Sequence, residues 1–163
     1  MTAIVHQINV KPKTRVERGL PKVHVESAFV SRKGIRGDFN VYRHEVLKDD
    51  PDSALLVIPL ETIEELNLEG WPVKPGDLGE NITTRGVSYS SFSIGKTYAI
   101  RGVSFQISRA CDPCDNLYLL PYVGKSKGPR FLKTMLGRRG WYARVLEEGW
   151  VAKGDPIIEG AGP

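Results

Sequence analysis

The chain has 163 residues, of which 40 % are hydrophobic and 26 % charged. That suits a single core of ordinary size and gives no reason to expect disorder. The net charge of +4 is a mild basic excess that reads as a solvated surface, and no aromatic RNA-binding signature accompanies it. No run approaches the roughly 18 apolar residues of a membrane span, and Met1–Lys11 reads as a strand rather than a secretory leader, so the expectation is a cytoplasmic protein with neither nucleic acid nor membrane as partner.

Seventeen glycines and eleven prolines predict many turns and therefore short elements. Ala3–Val10 alternates apolar and polar residues as a half-buried strand does, Lys11–Pro21 reads as a loop, and Lys22–Val30 alternates again as one strand. Turns follow at Arg32-Lys33-Gly34 and Gly37-Asp38. Phe39–Asp52 is polar and fits neither period, with a turn cluster at Asp49-Asp50-Pro51-Asp52. Ala54–Ile58 is a continuous apolar run of strand length. Pro59–Leu68 sets Leu60, Ile63, Leu66 and Leu68 at helical spacing, with a proline at its start and Gly70 at its end. Pro72–Gly76 is a loop, and Thr97–Ser108 is strand-like, with Gly102 as the break between two strands. Pro129–Leu136 reads as a second short helix, and Tyr142–Val145, Trp150–Ala152 and Pro156–Glu159 read as strands separated by glycine turns. Seven or eight short strands, two or three short helices and no regular alternation of strand with long helix argue against a doubly wound sheet. The predicted fold is mainly β and β-barrel-like, one domain over residues 1–163.

Three segments can carry chemistry. Arg109-Ala-Cys111-Asp112-Pro113-Cys114 places the only two cysteines on a turn after a strand. A thiolate is both nucleophile and soft metal ligand, and a cation such as Arg109 favours that charged form. A zinc site needs four ligands, and His6, His24 and His44 have no ligand spacing to one another. A thioredoxin-like pair would open a helix, and Asp115–Pro121 holds no clear helix start. A sulfur carrier or a ligand to a thiophilic metal is the third reading of the same pair. The second segment, Pro75-Gly-Asp-Leu-Gly-Glu80-Asn81-Ile-Thr83-Thr84, is a turn entering a short strand. It offers an amide side chain and backbone N–H groups to an anion or a polar ring edge, or else Asn81 merely completes the turn. The third, Gly140-Trp141-Tyr142 through Gly149 to Gly154-Asp155, looks like two strands with aromatic residues at the core or rim. The Arg138-Arg139 run before it reads as a solvated face.

These three segments, with Gly19-Leu-Pro21-Lys22 and Gly34-Ile-Arg-Gly37-Asp38 ahead of them, resemble the MOSC family in order and spacing over residues 3–159. The resemblance implies a β fold similar to the pyruvate-kinase β-barrel domain. It also implies binding of molybdenum cofactor (molybdopterin), as in sulfurase C-terminal domains and amidoxime-reducing relatives. Cys114 matches the family's key cysteine, as catalytic residue and molybdenum ligand or as persulfide carrier, with Cys111 secondary. Lys22 matches a basic residue near the cofactor phosphate, with Arg43 beside it, and Asn81 matches the turn residue near the cofactor, with Thr83 holding a further polar edge. Two positions depart from the pattern: Phe39 stands where some relatives carry arginine, and Lys48–Ser53 where longer free-standing relatives carry His-Gly-Gly-Pro. Arg43 or His44 is the candidate substitute. The expected cofactor site is therefore Lys22, Arg43, Asp52, Ser53, Asn81, Thr83, Arg109 and Asp112, with Cys114 at the metal. A carrier of sulfur or cofactor would need a recipient protein, and a reductase of N-hydroxylated compounds would need a separate electron donor. Enzyme and non-catalytic adaptor both stay open at this point, as does the oligomeric state.

Overall fold

In the computed structural model, which describes residues 2–13, 20–39 and 41–160, the alternating segments become strands of two sheets. The strands are β1 (Ile4–Val10), β2 (Val23–Val25), β3 (Ser27–Ser31), β4 (Gly34–Ile35), β5 (Leu55–Pro59), β6 (Ile82–Arg85), β7 (Thr97–Ile100), β8 (Val103–Ala110), β9 (Trp141–Glu147), β10 (Gly149–Ala152) and β11 (Ile157–Glu159). Two α-helices accompany them, α1 (Leu60–Leu68) and α2 (Gly124–Met135). The larger sheet runs β11-β7-β8-β9-β5-β6-β1-β2 and the smaller β10-β3-β4. Every pairing is antiparallel except β5 with β6, which α1 connects.

The expected β-rich fold is present, but its sheets are open. The terminal strands of the larger sheet, β11 and β2, do not pair. Its next-to-last strand nevertheless meets the first, because Ile4 and Pro156 form an isolated antiparallel bridge. There Val5 N–H donates to Asp155 O at 2.9 Å and Ile157 N–H to Ala3 O at 2.8 Å. The sheet thus curls until its ends touch at one bridge, without a ladder closing it.

The curl encloses one core, including Val5, Ile8, Val57, Ile82, Tyr98 and Phe105. A second core, including Ile58, Ile63, Leu66, Trp71, Phe131 and Met135, lies under α1 and α2. β5 divides the two, so all five of its residues are buried. That explains a continuous apolar run where other strands alternate. In β1 the alternation slips instead: a bulge between Val5 and Gln7 changes the register against β6, and Ile8, Asn9 and Val10 are all buried.

Several boundaries differ from the sequence reading for physical reasons. Lys22–Val30 is two strands, broken at Glu26, that join different sheets; alternation carries no information about a strand's partner. Thr97–Ser108 is a hairpin whose turn Arg101-Gly102 places Arg101 at φ 54°. Leu68 is exposed, while Leu60, Ile63 and Leu66 face the core. α2 begins at Gly124, not Pro129. Its first turn is polar and has low helix propensity, but a Cβ at Gly128 would stand 2.3 Å from the Tyr118 ring, so packing holds the turn that propensity does not favour. The polar stretch after Phe39 holds a π-helical turn at Tyr42–Val46 and a 3-10 turn at Pro51–Ser53. The loop at 14–19, and with it Gly19 of the first motif, lies outside the described residues.

Gly34 marks where this stretch packs near the start of β5. At φ 115°, a Cβ there would come within 2.7 Å of both Ala54 O and the Arg43 guanidinium. Gly34→Ala is therefore expected to cost about 2–3 kcal/mol, through positive-φ strain plus displacement of Arg43. Thermal or urea unfolding checks this, and an unchanged midpoint refutes it.

Candidate active site

The site is built around a carboxylate. Asp38 is buried after the Gly37 turn. Its Oδ1 accepts from Lys11 N–H at 2.8 Å, and its Oδ2 accepts from Lys22 Nζ at 2.7 Å and from Asn81 Nδ2 at 2.8 Å. The Arg43 guanidinium lies 3.7 Å from Oδ2 and also donates to Ala54 O at 2.9 Å. Asn81 in turn accepts Leu56 N–H on its own Oδ1 at 3.1 Å, and its backbone N–H donates to Leu56 O at 2.8 Å. Four segments far apart in sequence are thus tied at one point. Burial by itself would raise the Asp38 pKa. The charge and hydrogen bond of Lys22, the Lys11 N–H and Arg43 together outweigh burial and hold it below the usual carboxylate range.

Beside this knot opens a cavity of about 600 Å³. The Cys111–Cys114 turn forms one side. β8 ends against β9, where Cys111 N–H donates to Gly140 O at 2.9 Å, and Asp112-Pro113 then leads the chain away from the sheet. Cys114 is extended and precedes a 3-10 turn, Asp115–Leu119, not an α-helix. Both thiols are free; Cys111 is buried and Cys114 exposed. Three arginines, Arg43, Arg109 and Arg139, reach the same cavity, as do Leu20, Val41, Val46, Leu47 and Leu56. Its acids, Glu45, Asp112 and Asp115, are exposed at the rim, whereas Arg43 and Arg139 are buried. Arg109 bonds to Ser53 Oγ, pairs with Asp50 at 3.1 Å and stacks over the Tyr142 ring at 4.8 Å. The Asp52 N–H, and then Arg109, keep Asp50 below the usual carboxylate range. Burial, followed by the adjacent Cys111 sulfur, pushes the Tyr142 phenol up.

Of the residues expected from sequence, Arg43, Ser53, Asn81, Arg109, Asp112 and Cys114 line this cavity. Lys22 does not; only 4 % exposed, it is held on Asp38. Thr83 is sealed between Glu80 Oε1, to which its hydroxyl donates at 2.9 Å, and Asn9 Nδ2, from which it accepts at 3.2 Å. Asp52 faces outward and pairs with Arg144 at 2.6 Å, while its carbonyl accepts from Ser108 Oγ. His44 is exposed and bonds to Asp49 at 3.0 Å. In the departing segment, Lys48 and Asp49 take φ values of 52° and 54°, a left-handed turn that needs no glycine but is strained without one.

Two participants escaped the sequence reading. Asp38 stood in a recognised motif, yet nothing local says that a turn aspartate will be buried. Arg139 was grouped with Arg138 as a solvated pair. Arg138 does face solvent acids, Glu69 at 2.7 Å and Glu65 at 3.6 Å, but Arg139 is 5 % exposed. Gly140, at φ 107°, turns the chain between them and β9. A Cβ there would meet Ile58 Cγ1 at 2.6 Å, so a glycine just ahead of a strand was the one available signal.

A family model described as MOSC domain matches residues 23–158. The uncharacterized protein YflK of Bacillus subtilis (strain 168) is 29 % identical over 157 residues, which take in 88 % of this chain and 66 % of that protein. A protein of Gibberella moniliformis named reductase is 36 % identical over 85 residues, 50 % of this chain and 14 % of its own length. The chain thus spans a small part of one curated relative and just under two thirds of the other. Among solved structures, the YuaD protein of Bacillus subtilis superposes with a TM-score of 0.80 at 20 % identity, covering 96 % of this chain and 94 % of that one. YiiM of Geobacillus stearothermophilus does so at 0.71 and 26 % identity, covering 96 % and 74 %. Among the described residues no helix is long and apolar enough to cross a membrane.

The Asp38 knot generates two expectations. Asp38→Asn leaves Lys22 buried without its counter-charge and removes the carboxylate beside Arg43, and should destabilise by about 3–5 kcal/mol, on the order of 10 °C in melting temperature for a chain of this size. Lys22→Met should cost less, because Asp38 keeps Arg43 and two N–H donors; equal losses would contradict this ordering. The second concerns pH. The folded pKa of Asp38 lies below its unfolded value of about 3.9, so its contribution is complete above that value and is lost as pH falls toward the folded pKa. Chemical unfolding between neutral pH and pH 3 should show this acid-side loss in the wild type and a shallower slope in Asp38→Asn.

Proposed function

We propose, on the premise that this chain belongs to the MOSC domain family, that its cleft holds a molybdenum–pterin cofactor and that Cys114 is the sulfur serving the metal, as ligand or as persulfide carrier. The observation that supports this most directly is a free, exposed thiol on the rim of a cavity of about 600 Å³ whose wall gathers three arginines. The residues fit the group chemically. Thiolate is a soft donor suited to a thiophilic metal, guanidinium is the side chain best suited to a phosphate oxyanion, and the volume falls within the usual range for ligand pockets.

When bound, such a cofactor supplies the redox and sulfur-transfer chemistry that side chains lack. The chain's own residues bind, orient and exclude water. Arg109 offers a cationic edge fixed from three sides by Asp50, Ser53 and Tyr142. Asn81 spends both ends of its amide on Leu56 and Asp38, so it shapes the cleft wall rather than grasping the ligand. Lys22 acts at a distance by holding Asp38, beside which Arg43 is placed. Leu20, Val41, Val46 and Leu47 contribute apolar surface to the cavity wall. Cys111, buried behind the turn, holds the strand end through its N–H on Gly140.

The partial likeness to the fungal protein named reductase favours a second reading, in which the loaded cleft reduces a substrate. N-hydroxylated compounds are the expected class, and a separate donor protein would supply the electrons. In the first reading the separate protein is a recipient of sulfur or cofactor.

Elemental and pterin analysis of the chain purified from a molybdenum-replete host tests the shared premise. Cys114→Ala should lose metal or sulfane sulfur by more than about tenfold, while Cys111→Ala keeps it. Equal loss in both variants points to a paired thiol site. Full loading in Cys114→Ala removes the role of that cysteine, and a wild-type chain without molybdenum, pterin or sulfane sulfur overturns the cofactor reading.

A further inference from the structure

We propose that Arg139 is the receptor for a phosphate-type oxyanion inside the cleft. Arg139 is 95 % buried yet lines the cavity, and its Nε and Nη1 have no hydrogen-bond partner. The other two arginines of the wall are committed to carboxylates, Arg43 to Asp38 and Arg109 to Asp50. Arg139 forms no ion pair among the described residues. Glu80, a buried acid whose ionised form the charge of Arg139 favours, directs Oε1 to the Gly76 N–H at 2.6 Å and the Thr83 hydroxyl at 2.9 Å, and its buried Oε2 has no hydrogen-bond partner among the described residues, so it forms no bond to Arg139. Nη2 of Arg139 lies near Gly79, 3.9 Å from the place a Cβ would take there.

A buried guanidinium with empty donors is costly, and native proteins keep such a group where something outside the chain completes it. The missing partner must be anionic, must accept several hydrogen bonds, and must enter from the cavity. A phosphate-type oxyanion meets all three requirements. The exposed acids at the rim are screened by water and do not cancel a buried cation. The cavity is much larger than one such group, so the oxyanion is the head of a larger ligand or a second small ligand beside it. The inference rests on the cofactor reading only for what the remainder of that ligand is.

The test uses the full chain and inorganic phosphate, with thermal melting and calorimetric titration of wild type, Arg139→Met and Arg138→Met. In cofactor-free protein, phosphate should raise the melting temperature of wild type and Arg138→Met, and Arg139→Met should lose most of that shift and bind at least tenfold more weakly. In phosphate-free buffer, Arg139→Met forfeits no hydrogen bond or ion pair among the described residues, only the cation whose charge favours the ionised form of Glu80, so it should melt close to wild type. An equal phosphate response in Arg139→Met overturns the proposal, as does no response in wild type. Repeating the titration on cofactor-loaded chain identifies the source. A response abolished by loading means that the cofactor's own phosphate sits on Arg139. A response that survives means a separate oxyanion, and either outcome keeps Arg139 as the receptor. Failure of the cofactor reading is seen elsewhere, as absence of pterin and molybdenum, and leaves the phosphate response of Arg139 intact.

Discussion

The arrangement of the site depends on one buried carboxylate. Asp38 receives an ammonium, a carboxamide and a backbone N–H, with a guanidinium close by, from Lys22, Asn81, Lys11 and Arg43. Each donor comes from a different stretch of chain, and among the described residues no other interaction in the site ties so many of them. In such a setting the charge cannot be removed without leaving its partners uncompensated. The same burial that makes the carboxylate expensive makes it selective, because only one placement of the four segments satisfies every donor. The sheet ends, the polar strap after Phe39 and the turn before β6 are therefore held in one mutual position, and the cleft is the space between them.

The two-core construction explains where the cleft lies. β5 is apolar on both faces because it separates the curled sheet from the helical layer. Its start, the end of β8, the start of β9 and the turn into β6 converge on one side of the molecule. Strand ends leave backbone groups to be satisfied by turns and side chains, and those turns carry the polar residues available for binding. Cys111 and Cys114 illustrate the division. Three residues apart on the same turn, one is buried against the sheet and the other is exposed at the rim. Access, not residue type, separates their possible roles.

Much of this was legible beforehand. The strands at Ala3–Val10, Ala54–Ile58 and Trp150–Ala152 and the helix after Pro59 rest on period and capping, which are local. Asn81, Arg109, Asp112 and Cys114 line one cavity with Arg43 and Ser53; the first four stand in segments whose order and spacing resemble the MOSC family, whereas Arg43 and Ser53 lie outside those motifs. What the sequence did not reveal shares a cause. Lys22, Thr83 and Asp52 are polar residues in the right neighbourhood whose side chains satisfy the protein's own groups. Arg139 has the sequence environment of a surface residue and the burial of a core one. No window of neighbouring residues distinguishes these cases, because burial is decided by what packs from elsewhere in the chain.

By itself, then, the sequence determined the local conformations: where the backbone extends, where it turns, where a helix is capped, and which thiols and cations lie near those turns. Those follow from side-chain sterics and hydrophobic period over a few residues. Only the tertiary structure decided that Lys22–Val30 would divide between two sheets, that the larger sheet would curl to a single bridge without closing, and that Lys22 would be spent on Asp38 while Arg139 kept unused donors. These depend on contacts between residues distant in the chain. There the same charged side chain is worth little when solvated and a great deal when buried, and its partner alone determines whether it supports the fold or is left to meet a ligand.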